Sequence, residues 1–262
     1  MTPDQITSAG NSLYSAETAR IQRGLLSAEF PDATMNDAYA IQSAFVARKQ
    51  AAGRKTIGWK IGLTSRAMQQ QLNIETPDSG VLLDDMAFAN GATIPANRFI
   101  APRIEAEIAF VMKTPLSGAV TRDQVLAATD YVTPALEILD TRIVRANAGK
   151  TRTIIDTISD NAANAGILWG SAKHPPTVDL RWVGAIVSRD GVVEETGLGA
   201  GVLNDPVTGI VWLAARMAQY GQRIEPGQII LSGSFIRAIE CPSGCRIAAD
   251  FGTFGSLTCQ FA

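Results

Sequence analysis

Hydrophobic and polar positions change their period several times along this chain, and each change marks an element. Between residues 2 and 28, Ile6, Leu13, Ile21, Leu25 and Leu26 recur loosely at helical spacing, which predicts a helix. Thr2-Pro-Asp-Gln5 starts it as a capping box with proline in the first turn, and Pro31-Asp-Ala-Thr ends it. A second helix is predicted from about Asn36 to Ala52, with Ala38, Ile41, Phe45 and Val46 on its apolar face and Gly53 as its stop. From Thr56 the period falls to two. Ile57, Trp59, Ile61 and Leu63 alternate with Gly58, Lys60 and Gly62, the pattern of a strand. The clearest alternation runs from Arg103 to Lys113. There Ile104, Ala106, Ile108, Phe110 and Met112 alternate with Glu105, Glu107, Ala109, Val111 and Lys113.

Further along, the spacing predicts short helices over 65–72 and 121–130, and a turn at Pro77-Asp-Ser-Gly80. Residues 81–88 and 92–100 read as strands joined in a hairpin at Asn90-Gly91. A strand-like run over 131–140 is followed by a helix over 151–166. A hairpin across Asp190-Gly191, a helix over 207–220 and strands at 229–231, 235–241, 246–250 and 256–261 complete the chain. The sum is an α+β protein: an N-terminal helical segment, residues 1–55, then a β-rich catalytic domain, residues 56–262, built on a mixed, mostly antiparallel sheet system.

Composition narrows the function. With 262 residues, 46% of them hydrophobic and 18% charged, the chain can build a sizeable core. A net charge of −2 without a long basic run argues against nucleic acid or an anionic membrane as partner. The start Met1-Thr-Pro-Asp4 lacks the pattern of a signal peptide, and no apolar run is long enough to span a bilayer. Cys241, Cys245 and Cys259 are odd in number and make a poor zinc site, so they read as reduced thiols in a cytoplasmic protein.

The candidate chemistry lies on the strands. Glu105 and Glu107 share one strand face, where two like charges repel unless a cation or water separates them; both a metal site and a solvated face fit. Glu137, between Leu136 and Ile138, needs a partner if buried, either Arg142 or Arg145 or a metal shared with the other two glutamates. Three carboxylates suit a hard divalent cation such as Mg²⁺ or Mn²⁺, which would leave room to bind a 2-oxo or 2-hydroxy acid. Lys60, set between glycines, is either an edge lysine or an acid/base group whose pKa must fall for it to act as a base. Asp78 is turn chemistry or a proton relay. His174 sits in a Pro-rich loop and reads as a surface residue. Gly197 to Gly201 lacks the spacing of a phosphate-binding loop.

Five segments together carry a resemblance: Gly58-Trp-Lys-Ile-Gly-Leu-Thr-Ser65, Pro77-Asp-Ser-Gly-Val-Leu82, Pro102-Arg-Ile-Glu-Ala-Glu-Ile-Ala-Phe110, Pro134-Ala-Leu-Glu-Ile-Leu-Asp140 and Ser232-Gly-Ser-Phe-Ile-Arg237. In these the chain resembles the hydratase and decarboxylase branch of the fumarylacetoacetate hydrolase family over nearly its whole length. The resemblance implies a β-roll core, Mg²⁺ on Glu105, Glu107 and Glu137, and Lys60 as acid/base. It also implies homo-oligomers, as pentameric rings or stacked decamers. The implied activity is hydration of an unsaturated seven-carbon 2-oxo diacid. A 2-oxo acid decarboxylase and a hydratase of a five-carbon monoacid are the alternatives. The family's C–C bond hydrolases activate water with a His, which His174 is badly placed to do. Arg237 is expected either to grip the distal carboxylate of a diacid, as a guanidinium does in bidentate fashion, or to form a surface salt bridge.

Overall fold

A computed structural model describes residues 1–66, 69, 70, 74 and 76–262. Three helices lead, α1 (Pro3–Ala19), α2 (Leu26–Glu29) and α3 (Met35–Ala51); α4 (Arg122–Ala128), α5 (Ile154–Ser159) and α6 (Val207–Ala218) follow among the described residues. The strands are β1 (Thr56–Gly62), β2 (Asp78–Leu83), β3 (Ala87–Phe88), β4 (Thr93–Ile94), β5 (Arg103–Met112), β6 (Thr129–Leu139), β7 (Ala146–Asn147), β8 (Lys150–Thr151) and β9 (Asn164–Trp169). The last six are β10 (Gly184–Arg189), β11 (Val192–Leu198), β12 (Ile229–Leu231), β13 (Ile239–Glu240), β14 (Arg246–Asp250) and β15 (Ser256–Phe261).

The two long leading helices, α1 and α3, start where a capping box places them. Thr2 and Gln5 exchange hydrogen bonds at the start of α1, and Thr34 and Asp37 do so at α3. The first helix stops well before residue 28, because Arg20 takes a left-handed φ of 55°. Leu13, Leu26, Ile41 and Phe45 pack with Ile143 of the body into a core of their own. Buried Lys49 of α3 ties Glu17 of α1, at 2.7 Å, to Asp85 of the body, at 3.2 Å.

The larger sheet runs β2-β1-β12-β5-β6-β9-β3, with β13 also on β5; the smaller runs β11-β10-β14-β15-β4. Most pairings are antiparallel, while β1–β12, β15–β4 and β3–β9 are parallel. The main apolar core joins one face of the larger sheet to α6 and the smaller sheet, through Ile104, Phe110, Ile210, Leu213, Val187 and Leu257. The result is the mixed α+β architecture expected of this sequence.

Four local expectations are corrected. The stretch 151–166 is not one helix: α5 ends at Ser159, Asn161–Ala163 turn left-handed, and β9 begins at Asn164. The Asn90-Gly91 turn does not join a hairpin, because β3 pairs with β9 in one sheet and β4 with β15 in the other. Asp78 lies not at a turn tip but in β2, every residue of which is buried. Only Ile239–Glu240 of the run 235–241 forms a strand. The helix predicted over 65–72 falls partly outside the described residues.

Candidate metal centre and active site

Strands β5 and β6 lie antiparallel, with Glu105 directly opposite Glu137 and Glu107 two residues further along β5. One face of this ladder therefore carries all three carboxylates. One oxygen from each lies within 4.8 Å of the others. Glu107 and Glu137 are fully buried and Glu105 partly so. The solvated-face reading of the Glu-x-Glu pair thus fails. Arg142 does not serve Glu137 as a charge partner either; its ion pairs go to Asp160 and Glu17.

Each buried carboxylate is half-held by the protein. Glu107 Oε2 accepts from the backbone N–H of Gly233 at 2.7 Å, and Glu137 Oε1 accepts from Asn164 Nδ2 at 2.7 Å. The remaining oxygens, Glu107 Oε1 and Glu137 Oε2, receive no hydrogen bond among the described residues. Buried oxygens of this kind demand a partner. Gly233 can offer its amide because it has no side chain: at its φ of 114° a Cβ would stand 2.2 Å from Thr64 Oγ1. This gives the Ser232-Gly-Ser segment its place in the site.

Lys60 reaches the cluster from β1. Its ammonium lies 3.3 Å from Glu137 Oε2 and donates to Ala162 O at 3.3 Å. Asp78 enters from β2, opposite Gly62. A Cβ on Gly62 would come within 2.2 Å of Asp78 Oδ1 and 3.0 Å of Lys60 Nζ. The glycine beside the lysine therefore makes room for the aspartate and the ammonium. The two groups stand side by side in the same buried layer.

The electrostatics follow from crowding. Burial pushes the Glu105 carboxyl up, Glu137 adds to it, and together they bring it to about 8. Burial, and then Glu137, hold Glu107 well above the usual carboxylate range. Burial raises Asp78 too, against the opposing pull of Lys60. For Lys60 burial favours the neutral amine, but Glu137, Asp78, Glu105 and Glu107 outweigh it and hold the ammonium above the ordinary lysine value. The fall in pKa that a base role would require does not occur in the metal-free protein, where Lys60 rests charged. Four carboxylates crowd around this one ammonium, and a divalent cation is the chemistry that relieves the excess.

Arg237 is not brought to this cluster. Its side chain is 87% exposed and forms an ion pair with Glu195, the surface arrangement. His174 also stands apart: its Nε2 contacts Phe254 O at 2.8 Å and its ring stacks on Phe254. Sequence reading missed Asn164, the Gly233 amide and the Ala162 carbonyl. Asn164 was hidden in a stretch taken for a helix, and backbone groups leave no mark in a side-chain pattern.

The chain is 49% identical over 253 residues to 2-oxo-hept-4-ene-1,7-dioate hydratase of Escherichia coli, covering 95% of each. It also matches the solved structure of 4-oxalocrotonate decarboxylase from Pseudomonas putida G7, complexed with magnesium and adipate. There the TM-score is 0.94 at 33% identity, over 100% of this chain and 99% of that one. The chain belongs to the hydratase and decarboxylase branch of the fumarylacetoacetate hydrolase family. No family model matches it. A fumarylacetoacetate hydrolase family protein from Yersinia pestis, 13% identical, shares the fold at a TM-score of 0.56 over 78% of this chain and 92% of that one. Its relatives named as hydratases make the protein an enzyme of the hydro-lyase kind, and its fold is that of the solved decarboxylase. No helix among the described residues is long and apolar enough to cross a membrane.

Proposed function

We propose that this protein is a metal-dependent hydratase that converts 2-oxohept-4-ene-1,7-dioate, through its dienol and enone forms, into 4-hydroxy-2-oxoheptane-1,7-dioate. The observation that carries the proposal is the convergence of Glu105, Glu107 and Glu137 beside Lys60, in a chain close in sequence to a hydratase named for that substrate. Glu107 Oε1, which receives no hydrogen bond, and Glu137 Oε2, which has only the Lys60 ammonium at 3.3 Å, fit a divalent ion. Glu105, Glu107 and Glu137 would hold Mg²⁺, with Mn²⁺ as substitute, and the ion supplies Lewis acidity where an α-keto acid binds.

The residues of the chain then have definite tasks. The ammonium of Lys60 gives a proton to C5 of the dienol, and the proton leaving the C2 hydroxyl returns to the amine by way of Asp78, which leaves an enone with its double bond at C3–C4. Water adds across that bond, its oxygen to C4 and a proton to C3, so the net change is one water gained. Asp78, beside Lys60, holds the ammonium in place and takes or returns its proton. The wall of buried side chains around the cluster keeps bulk water out, so that the added water is a bound one.

A decarboxylase remains the second reading, favoured by the match to the 4-oxalocrotonate decarboxylase fold at full coverage; hydration of 2-hydroxypenta-2,4-dienoate is the third. Mass spectrometry of the product from 2-hydroxyhepta-2,4-diene-1,7-dioate, with Mg²⁺ and with chelator, separates them. A gain of one water only with metal supports the hydratase, loss of CO₂ the decarboxylase, and no change in either tube overturns both. The enzyme is proposed to work in the cytoplasm as a homo-oligomer, a ring of five or a stacked pair of rings. Light scattering giving a mass other than five or ten chains would refute that assembly.

A further inference from the structure

The segment Asp160–Asn164 has no task in the reaction as written, yet each of its residues anchors a different neighbour, and two of those neighbours are Lys60 and Glu137. The Asp160 carboxylate receives the backbone N–H of Arg142 at 3.0 Å, its Nε at 2.5 Å and Arg152 Nη2 at 3.0 Å. Asn161 pairs its side-chain amide both ways with the backbone of Val81 in β2, at 2.7 and 2.9 Å. Ala162 offers its carbonyl to Lys60. Ala163 offers its own to the N–H of Asp140 at 2.8 Å. Asn164 donates to Glu137, and its carbonyl accepts from Arg142 Nη1 at 3.0 Å. Asn161, Ala162 and Ala163 have φ of 52°, 51° and 59°. A left-handed alanine costs about 1–2 kcal/mol, and such strain persists only where its surroundings over-determine it.

Resting on the metal-site reading above, we infer that this turn is the positioning element of the active site and that it acts on the metal ligand Glu137 through Asn164. The geometry runs in one direction. Arg142 is fully buried and clamped by Asp160, so it fixes the Asn164 backbone. The Asn164 side chain, fully buried as well, has its donor aimed at an acceptor-only carboxylate. That bond engages Glu137 Oε1 and leaves Oε2 facing Lys60. Without the donor, Glu137 Oε1 loses the side-chain hydrogen bond that fixes its rotation. Asn164 is therefore a positioning residue: it reaches the chemistry through Glu137 and Lys60.

The test is Mn²⁺ binding, measured by the EPR signal of the free ion, on the full chain as wild type, Asn164→Ala, Asn164→Leu and Glu107→Gln. Thermal unfolding of each metal-free protein is followed in parallel. Ala empties the side chain's space and Leu fills it, so a packing defect separates the two while a lost donor affects both alike. Both are expected to bind Mn²⁺ at least tenfold more weakly, the range seen when a residue supporting a metal ligand is removed. Binding within threefold of wild type in either folded variant would overturn the role of Asn164 alone. Wild type that takes up no Mn²⁺, or Glu107→Gln that binds as wild type does, would overturn the metal-site reading and this inference with it.

Discussion

At the scale of single residues, the charge state of Lys60 is the property most open to test. In the metal-free protein the ammonium is ringed by carboxylates and keeps its proton. Lys60→Met keeps the length of the side chain and removes that proton. Turnover should fall by about 10²- to 10⁴-fold, the usual contribution of a positioned acid or base, while Mn²⁺ still binds. Steady-state kinetics beside a metal titration checks this, and full activity in the variant would refute the role. Gly62→Ala tests the crowding from the other side. Its Cβ meets Asp78 Oδ1, so activity should fall more than tenfold although no charged group is removed. The candidate side chains Lys60, Glu105 and Glu107 were legible in the sequence because alternation assigns a face to each residue of a strand. Glu137 emerged instead as a carboxylate set in an apolar run. Arg237 was named from the resemblance alone, and of its two expected places it takes the surface salt bridge.

At the scale of elements, the stretch after Thr153 shows where periodicity misleads. Its mixture of polar and apolar residues fits a helix, but the polar ones are buried partners, not a solvated stripe. Asp156 is an example. It caps α5 through the N–H and hydroxyl of Thr153, at 2.9 and 3.1 Å, and receives the N–H and hydroxyl of Ser27 at 2.9 and 2.6 Å. Burial pushes its carboxyl up, but the bonds from Ser27 and Thr153 outweigh it and hold the pKa below the ordinary 3.8. A depressed folded-state pKa means stability that is present above about pH 4 and lost as pH falls through the lower, folded value. Asp156→Asn should cost about 1–3 kcal/mol at neutral pH, the penalty for disrupting buried hydrogen bonds. Its denaturation midpoint should also vary less than wild type between pH 4 and pH 2. Urea melts at both ends of that range decide it, and an unchanged slope with pH would refute the assignment.

For the molecule as a whole, the cation is a matter of stability as well as chemistry. Buried carboxylates that repel one another when empty and attract a shared ion when filled should bind Mg²⁺ only in the folded state. At a hundredfold excess over its Kd the ion then adds about 2.7 kcal/mol, seen as a rise in Tm that EDTA reverses. A Tm indifferent to both would count against the glutamate site. The α+β class and the helical start could be read from the chain. The sheet order could not, because a strand's pattern names its faces and not its neighbours. That order has a consequence for how the site is joined. Strand β1, with Lys60, lies parallel to β12, and β12 in turn lies against β5, which carries Glu105 and Glu107. The amide that holds Glu107 comes from Gly233. Lys60, Asp78, Glu105, Glu107 and Glu137 all precede residues 229–233 in the chain. The three glutamates need only the direct pairing of β5 with β6 to come together, but Lys60 is joined to that ladder through β12, a strand of three residues. A short, late segment without an ionisable side chain of its own thus bridges the candidate lysine to the candidate metal ligands.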